Sequence, residues 1–201
     1  PGEAQIQSTH IAGLMNSLKL NSYCQLHDWS VQHLAEFWDL MIQRLDIHFR
    51  RNYSQVVDLS RGAESPQWLA GAELNIAESC FKAPDETPAL VFQQEGLPLE
   101  TWTYKALHGL TNRVANSLSA IGVGPGDRVT LYAQNCWEWV VAYYATAKLG
   151  AVINPINVML TPEEVGFVVK DCGAAALFTT ANRAAPILGL KQDTDLKEII
   201  V

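Results

Sequence analysis

The sequence predicts an α/β fold: an open, largely parallel sheet layered with helices, preceded by a mainly helical and irregular amino-terminal extension. Two observations carry this expectation. From Thr101 to Thr180 helix-like and strand-like stretches alternate, with a turn signal at nearly every junction, and alternation of that kind buries its apolar faces as a parallel sheet between helices. Before that region the alternation is missing, and Lys82 to Pro88, with two prolines among polar neighbours, reads as a boundary. The expected division is therefore an extension over residues 1–83 and an α/β subdomain over residues 84–201.

Composition narrows the classes. A hydrophobic content of 48% supplies a substantial core, and a net charge of −7 lacks the basic face that a phosphate backbone requires, so no nucleic-acid partner is expected. Cys24, Cys80, Cys136 and Cys172 are far apart and form no Cys-x-x-Cys pair, which points to reduced, mostly packed thiols. There is no apolar run of about 18 residues, and the first 20 residues lack a secretory pattern, so the default expectation is cytoplasm or an organelle matrix with no transmembrane segment. Because the chain starts at Pro1 without an initiator Met, a lost targeting segment stays open.

Ile11, Leu14, Met15 and Leu18 repeat at helical spacing and predict a short amphipathic helix. A stronger one is expected to start at Ser30 as N-cap, with Val31, Leu34, Trp38, Met41 and Leu45 as one stripe docked on the protein's own core. His33 and His48 lack metal-ligand company. Asn52 to Ala83 reads as an irregular polar segment that buries Trp68 and Leu74, with Asn75 capping a short helix.

Ala89 to Phe92 and Leu99 to Thr103 predict a hairpin turning at Glu95-Gly96. Thr103 then caps a helix with Leu107, Leu110, Val114, Leu118 and Ile121 on one face, ended by Gly122. Gly124-Pro125-Gly126-Asp127 follows a helix and precedes a strand, the reverse of a dinucleotide loop, and has no Gly-Lys-Ser/Thr, so it reads as a structural turn. Val129 and Leu131 alternate with Thr130 and Tyr132 as a strand does, and Asn135 with Glu138 resembles a capping box for a helix over Trp137 to Leu149 that is apolar nearly all round. Lys148 reads as a snorkelling lysine at its end.

Ala151 to Ile153 begins another strand, and the loop after it holds Asn154 and Asn157. Polar loops at strand ends are where open α/β sheets place ligands, which makes these two candidate substrate-loop residues. Thr161-Pro162-Glu163-Glu164 is a strong helix start and Gly173 its stop. Ala174 to Thr179 is the next strand, Pro186 to Leu190 fits a short helix, and a last strand covers Ile199 to Val201.

Several blocks together resemble a known family. Pro66-Gln-Trp-Leu-Ala-Gly-Ala-Glu-Leu-Asn75 and the upstream Phe37-Trp38 region are similar to the amino-terminal extension of acetyl-CoA-synthetase-like enzymes. Thr101-Trp-Thr-Tyr104, Asn112-Arg113, Gly122-Val-Gly-Pro-Gly126-Asp127-Arg-Val129, Lys148-Leu-Gly-Ala-Val152 with Asn154-Pro155, and Thr161-Pro-Glu-Glu-Val165 resemble the first subdomain of AMP-forming acyl-CoA synthetases and related adenylate-forming ligases. The resemblance implies a parent enzyme that activates a carboxylic acid with ATP and magnesium and passes the acyl group to coenzyme A, as in fatty acid metabolism. It also implies that the reactive motifs (a loop ending Pro-Lys-Gly, a Tyr-Gly-x-Thr-Glu segment, a ribose-holding Asp and a mobile-domain lysine) lie elsewhere, since none occurs here. The fragment alone is then expected to be inactive, with no catalytic residue and no metal ligand of its own, to need the remainder of its polypeptide, and to expose an apolar flank.

Two details of the resemblance bear on coenzyme A. Where the acetyl-CoA-synthetase branch has a Gly-Gly pair beside the coenzyme A site, Val158-Met159 stands. Arg183 reads first as a solvated arginine; its place near that branch's phosphate-binding arginines makes it the one coenzyme A candidate. Two further readings share the subdomain: a stand-alone binding or interaction module, and a ligase that hands its adenylate to a carrier-protein thiol.

Overall fold

Short polar side chains start two of the helices nearest the amino terminus. The computed structural model describes residues 2–201, which divide into two compact units, one ending at Leu74 and the other spanning Asn75–Val201. In the first unit, α1 (Glu3–Gln7) is followed by α2 (His10–Ser17), whose N-cap Thr9 accepts from the Ala12 N–H, and by α3 (Tyr23–Gln32), capped in the same way by Ser22. His33, at φ −119° and ψ 55°, breaks the chain before α4 (Leu34–Arg44).

That break corrects the single helix expected from Ser30. Ser30 is a residue of α3 and donates to the His27 carbonyl instead of capping anything. It also re-phases the apolar stripe: Val31, Trp38 and Leu45 are exposed, while Leu34, Phe37 and Met41 are half-buried. The polar segment that follows is more regular than expected. It contains β1 (Gln55–Asp58) and β2 (Gln67–Ala70), an antiparallel pair. Trp68 and Leu74, expected to be buried, are exposed, and Trp68 meets Trp38 edge to face at 5.8 Å.

The second unit opens with α5 (Ile76–Cys80), capped by Asn75 as expected, then the hairpin β3 (Pro88–Phe92) and β4 (Glu100–Thr103). Thr103 caps α6 (Tyr104–Ala120). From there strands and helices alternate: β5 (Arg128–Tyr132), α7 (Trp137–Lys148), β6 (Val152–Pro155), α8 (Pro162–Cys172) and β7 (Ala174–Thr179). Two short helices, α9 (Ala181–Ala184) and α10 (Leu190–Asp193), flank a 3-10 turn (Ala185–Ile187) and lead to β8 (Glu198–Ile200).

The four strands β5 to β8 form one parallel sheet in the order β6-β5-β7-β8. Its two faces carry separate cores. Val129 and Leu131 point toward Leu118 on α6 and Ala142 and Ala145 on α7, whereas Tyr132 and Leu177 point toward Val165 and Val169 on α8 and Ile187. The alternation in β5 thus sorts residues between two apolar layers, not between core and water, which is why Val129 to Tyr132 are all buried.

Arg128 locks the start of the sheet. Its guanidinium donates to the carbonyls of Cys172 (2.6 Å), Gly173 (2.7 Å) and Gly126 (3.0 Å), placing a positive charge where α8 ends in free carbonyls. Among the described residues no helix is long and apolar enough to cross a membrane.

Candidate functional site

The carboxyl ends of β5, β6 and β7 converge, and two groups of residues gather there. The first is the loop after β6. Asn154 is half-buried within the sheet: its amide N–H donates to Thr130 Oγ1 at 3.2 Å and to Cys172 Sγ at 3.3 Å. Asn157 is exposed, and its Oδ1 accepts from the Met159 N–H at 2.9 Å, which shapes the turn. The structure therefore separates these two candidates, one fixing strand register and one facing outward.

Arg183, from α9, closes over the same loop. Its Nη1 donates to the Val158 carbonyl at 2.8 Å and approaches the Tyr132 hydroxyl at 3.4 Å, with the guanidinium 5.3 Å from the Tyr132 ring centre. Tyr132 in turn donates to the Leu160 carbonyl at 2.8 Å. The side chain is half-buried, and its Nε is buried without a partner. Tyr132 went unnoticed in the sequence as a partner of this loop, since nothing local links a strand end to a carbonyl 28 residues on.

The glycine turn is a different matter. Gly124 N–H donates to Asp127 Oδ2 (3.0 Å), Gly126 N–H to the Gly150 carbonyl (3.0 Å) and Asp127 N–H to the Gly124 carbonyl (3.1 Å). Every one of these donors is spent inside the fold, so none is left for a phosphate. The Gly124 N–H holds the Asp127 carboxyl below its ordinary pKa, helped by Lys197, whose Nζ is 3.6 Å away.

The expected capping box at Asn135 and Glu138 does not form. Cys136 is the N-cap of α7 and makes no side-chain cap bond, so the helix starts at Trp137 as read but without the expected cap. Burial pushes the Cys136 thiol up, leaving it neutral near pH 7. At the other end of α7, Lys148 donates to Asn112 Oδ1 (2.6 Å) and lies 4.8 Å over the Phe81 ring. His108 stacks on the same ring at 4.9 Å, and burial followed by the Lys148 charge lowers its pKa. These contacts tie α6 to α7 and leave Lys148 a structural part.

Among the described residues no three His, Cys, Asp or Glu side chains gather as a metal site. A cavity of about 560 Å³ opens between β5, β7 and the start of α7, lined by Leu131, Trp137, Trp139, Phe178 and Thr179 among others. Thr179 escaped the sequence reading because it looks like the last residue of an apolar strand.

Comparison with known proteins decides the family. The signature of the AMP-binding enzyme family matches residues 76–201, and that of the acetyl-coenzyme A synthetase N-terminus matches residues 23–80. The chain belongs to the AMP-binding enzyme family. Among AMP-binding enzymes it is 28% identical over 184 residues to an acetoacetyl-CoA synthetase of Caenorhabditis elegans, covering 90% of this chain and 26% of that protein. It is 29% identical over 184 residues to an acetyl-coenzyme A synthetase of Cupriavidus necator, covering 87% and 28%. The solved acetoacetyl-CoA synthetase from Streptomyces lividans superposes on 99% of the chain with a TM-score of 0.87 at 28% identity, and the chain covers 34% of that structure. The chain thus spans about a quarter of the length of these curated relatives.

Proposed function

We propose that this chain is the amino-terminal part of an AMP-forming acid–CoA ligase, in which residues 1–83 form the extension and residues 84–201 the first α/β subdomain. The observation that carries the reading is the superposition on the acetoacetyl-CoA synthetase fold along 99% of the chain. In such a ligase a carboxylate attacks the α-phosphate of ATP, pyrophosphate leaves, and the coenzyme A thiol then takes the acyl group from the adenylate. Magnesium offsets phosphate charge in this chemistry. Its ligands are not assigned to this chain, whose described acidic residues do not cluster.

The part played by the chain's own residues is positioning. The guanidinium of Arg183, held by Val158 and Tyr132, is the group that meets a phosphate of coenzyme A. Asn157, exposed on the loop that Arg183 braces, faces the substrates, while Asn154 keeps β6 in register for that loop. The 201 residues alone form no adenylate, because the phosphate loop and the other reactive motifs that the resemblance implies do not occur among them.

The test is ATP–pyrophosphate exchange. The 201-residue chain should give background, and a longer polypeptide carrying it should exchange when supplied with a short carboxylic acid and release AMP faster with coenzyme A. Arg183→Met in that longer protein should raise the KM for coenzyme A at least severalfold, on the loss of a charge-assisted phosphate contact, with acid-dependent exchange little changed. Exchange by the 201-residue chain would refute the division of labour, and an unaltered KM would refute the assignment of Arg183.

A further inference from the structure

Tyr132 ends β5, an inner strand of the parallel sheet, and is 4% exposed. It lies too deep to touch a substrate, yet its polar end is spent on the loop between β6 and α8. A phenol oxygen has one proton to give and lone pairs that accept. Here the proton goes to the Leu160 carbonyl at 2.8 Å, which leaves the oxygen to accept from Arg183 Nη1 at 3.4 Å. The same Nη1 donates to the Val158 carbonyl at 2.8 Å. One hydroxyl therefore joins the far end of the loop to the arginine, and the arginine joins back to its middle. The ring contributes as well, since the guanidinium carbon is 5.3 Å from its centre, within cation–π range.

Among the described residues no other hydrogen bond aims this side chain. Its Nε is buried without a partner, a cost that works against the observed placement. The backbone that carries it is a single turn, α9, whose N-cap Thr180 makes no side-chain cap bond. The direction in which the guanidinium points therefore rests on Nη1 and on the face of Tyr132.

From this we infer that Tyr132 is a positioning residue of the coenzyme A site: its hydroxyl holds the loop over residues 156–160 and the Arg183 guanidinium in one geometry, ready for a phosphate. The inference rests on the reading of Arg183 as the phosphate-binding group. A group already in place loses less freedom when its ligand arrives, so the gain appears as affinity for coenzyme A.

The experiment is a double-mutant cycle on the KM for coenzyme A in the longer protein that carries this chain, with Tyr132→Phe, Arg183→Met and the pair. Tyr132→Phe keeps the ring and removes the oxygen. It should raise the KM for coenzyme A roughly two- to tenfold, about the worth of one hydrogen bond, while the KM for ATP stays within about twofold. With Arg183→Met already present, the same change should add nothing, because the group it aims is gone. A tyrosine that only supports the fold gives another pattern, raising both KM values and adding its effect to that of Arg183→Met. That pattern, or an unaltered KM in Tyr132→Phe beside a raised one in Arg183→Met, overturns this inference and leaves the reading of Arg183 standing. An unaltered KM in Arg183→Met refutes that reading and this inference with it. A second measurement needs no variant: in NMR spectra of the 201-residue chain, the buried Arg183 Nε–H should exchange with water at least about tenfold more slowly than that of exposed Arg113. Equal rates would show that the guanidinium is not held in advance, and the inference would fall.

Discussion

Thr111 sits in α6 fully buried, and its Oγ1 has no partner. A hydroxyl in that position has lost its water without gaining a hydrogen bond, so Thr111→Val, equal in shape, should stabilise the chain by about 1 kcal/mol in urea denaturation. His108 makes the opposite kind of prediction, one of pH. Burial and the neighbouring Lys148 charge lower its pKa, with Asp85 opposing, so the folded chain binds the proton less readily than the unfolded chain, whose histidine titrates near 6.5. As pH falls through about 6.5 the unfolded state takes up the proton first, and stability should decline until the lowered folded value is passed. His108→Gln should flatten that part of the stability–pH curve, which thermal melts from pH 7.5 to 5 would reveal. At this scale little was legible in advance: that Arg183 meets Val158 and Tyr132, or that Thr179 lacks a partner, depends on residues brought together from distant parts of the chain.

Elements were legible wherever a local chemical signal fixed them. Thr161 and Glu164 cap each other's backbone at the start of α8, and Gly173 ends the helix at φ 58°, both readable from residue type alone. Thr161→Ala should cost about 1 kcal/mol through the lost cap. Gly173→Ala should cost more, because its Cβ would meet Arg128 Nη2 at 2.7 Å in addition to the left-handed strain; paired urea titrations would rank the two. Where two signals competed, the reading failed. Ser30 has the residue type of a cap, yet it lies inside α3, and the next helix begins only after the break at His33. Asn135 and Glu138 have the right spacing, yet the helix starts from Cys136. Strands β1 and β2 escaped because four residues apiece are too few for alternation to stand out, and their partnership exists only once the chain has turned between them.

For the molecule as a whole, the parallel sheet was foreseen from the alternation of elements, while its strand order, and so the crevice between β5 and β7, was not. The central position of β5 governs how the second unit acquires its shape. This strand joins its neighbours on both sides in parallel, Thr130 to Asn154 and to Leu177, so neither junction can begin from a tight hairpin as β3 and β4 can. Each requires a long excursion to close first, and the entropy lost in closing it precedes any reward. The hairpin and the isolated helices should form within about 10 μs, whereas registration of β5 should take milliseconds to seconds. In stopped-flow refolding, Val129→Ala at the heart of that strand should slow the observed rate, and Val57→Ala in the first unit should leave it alone.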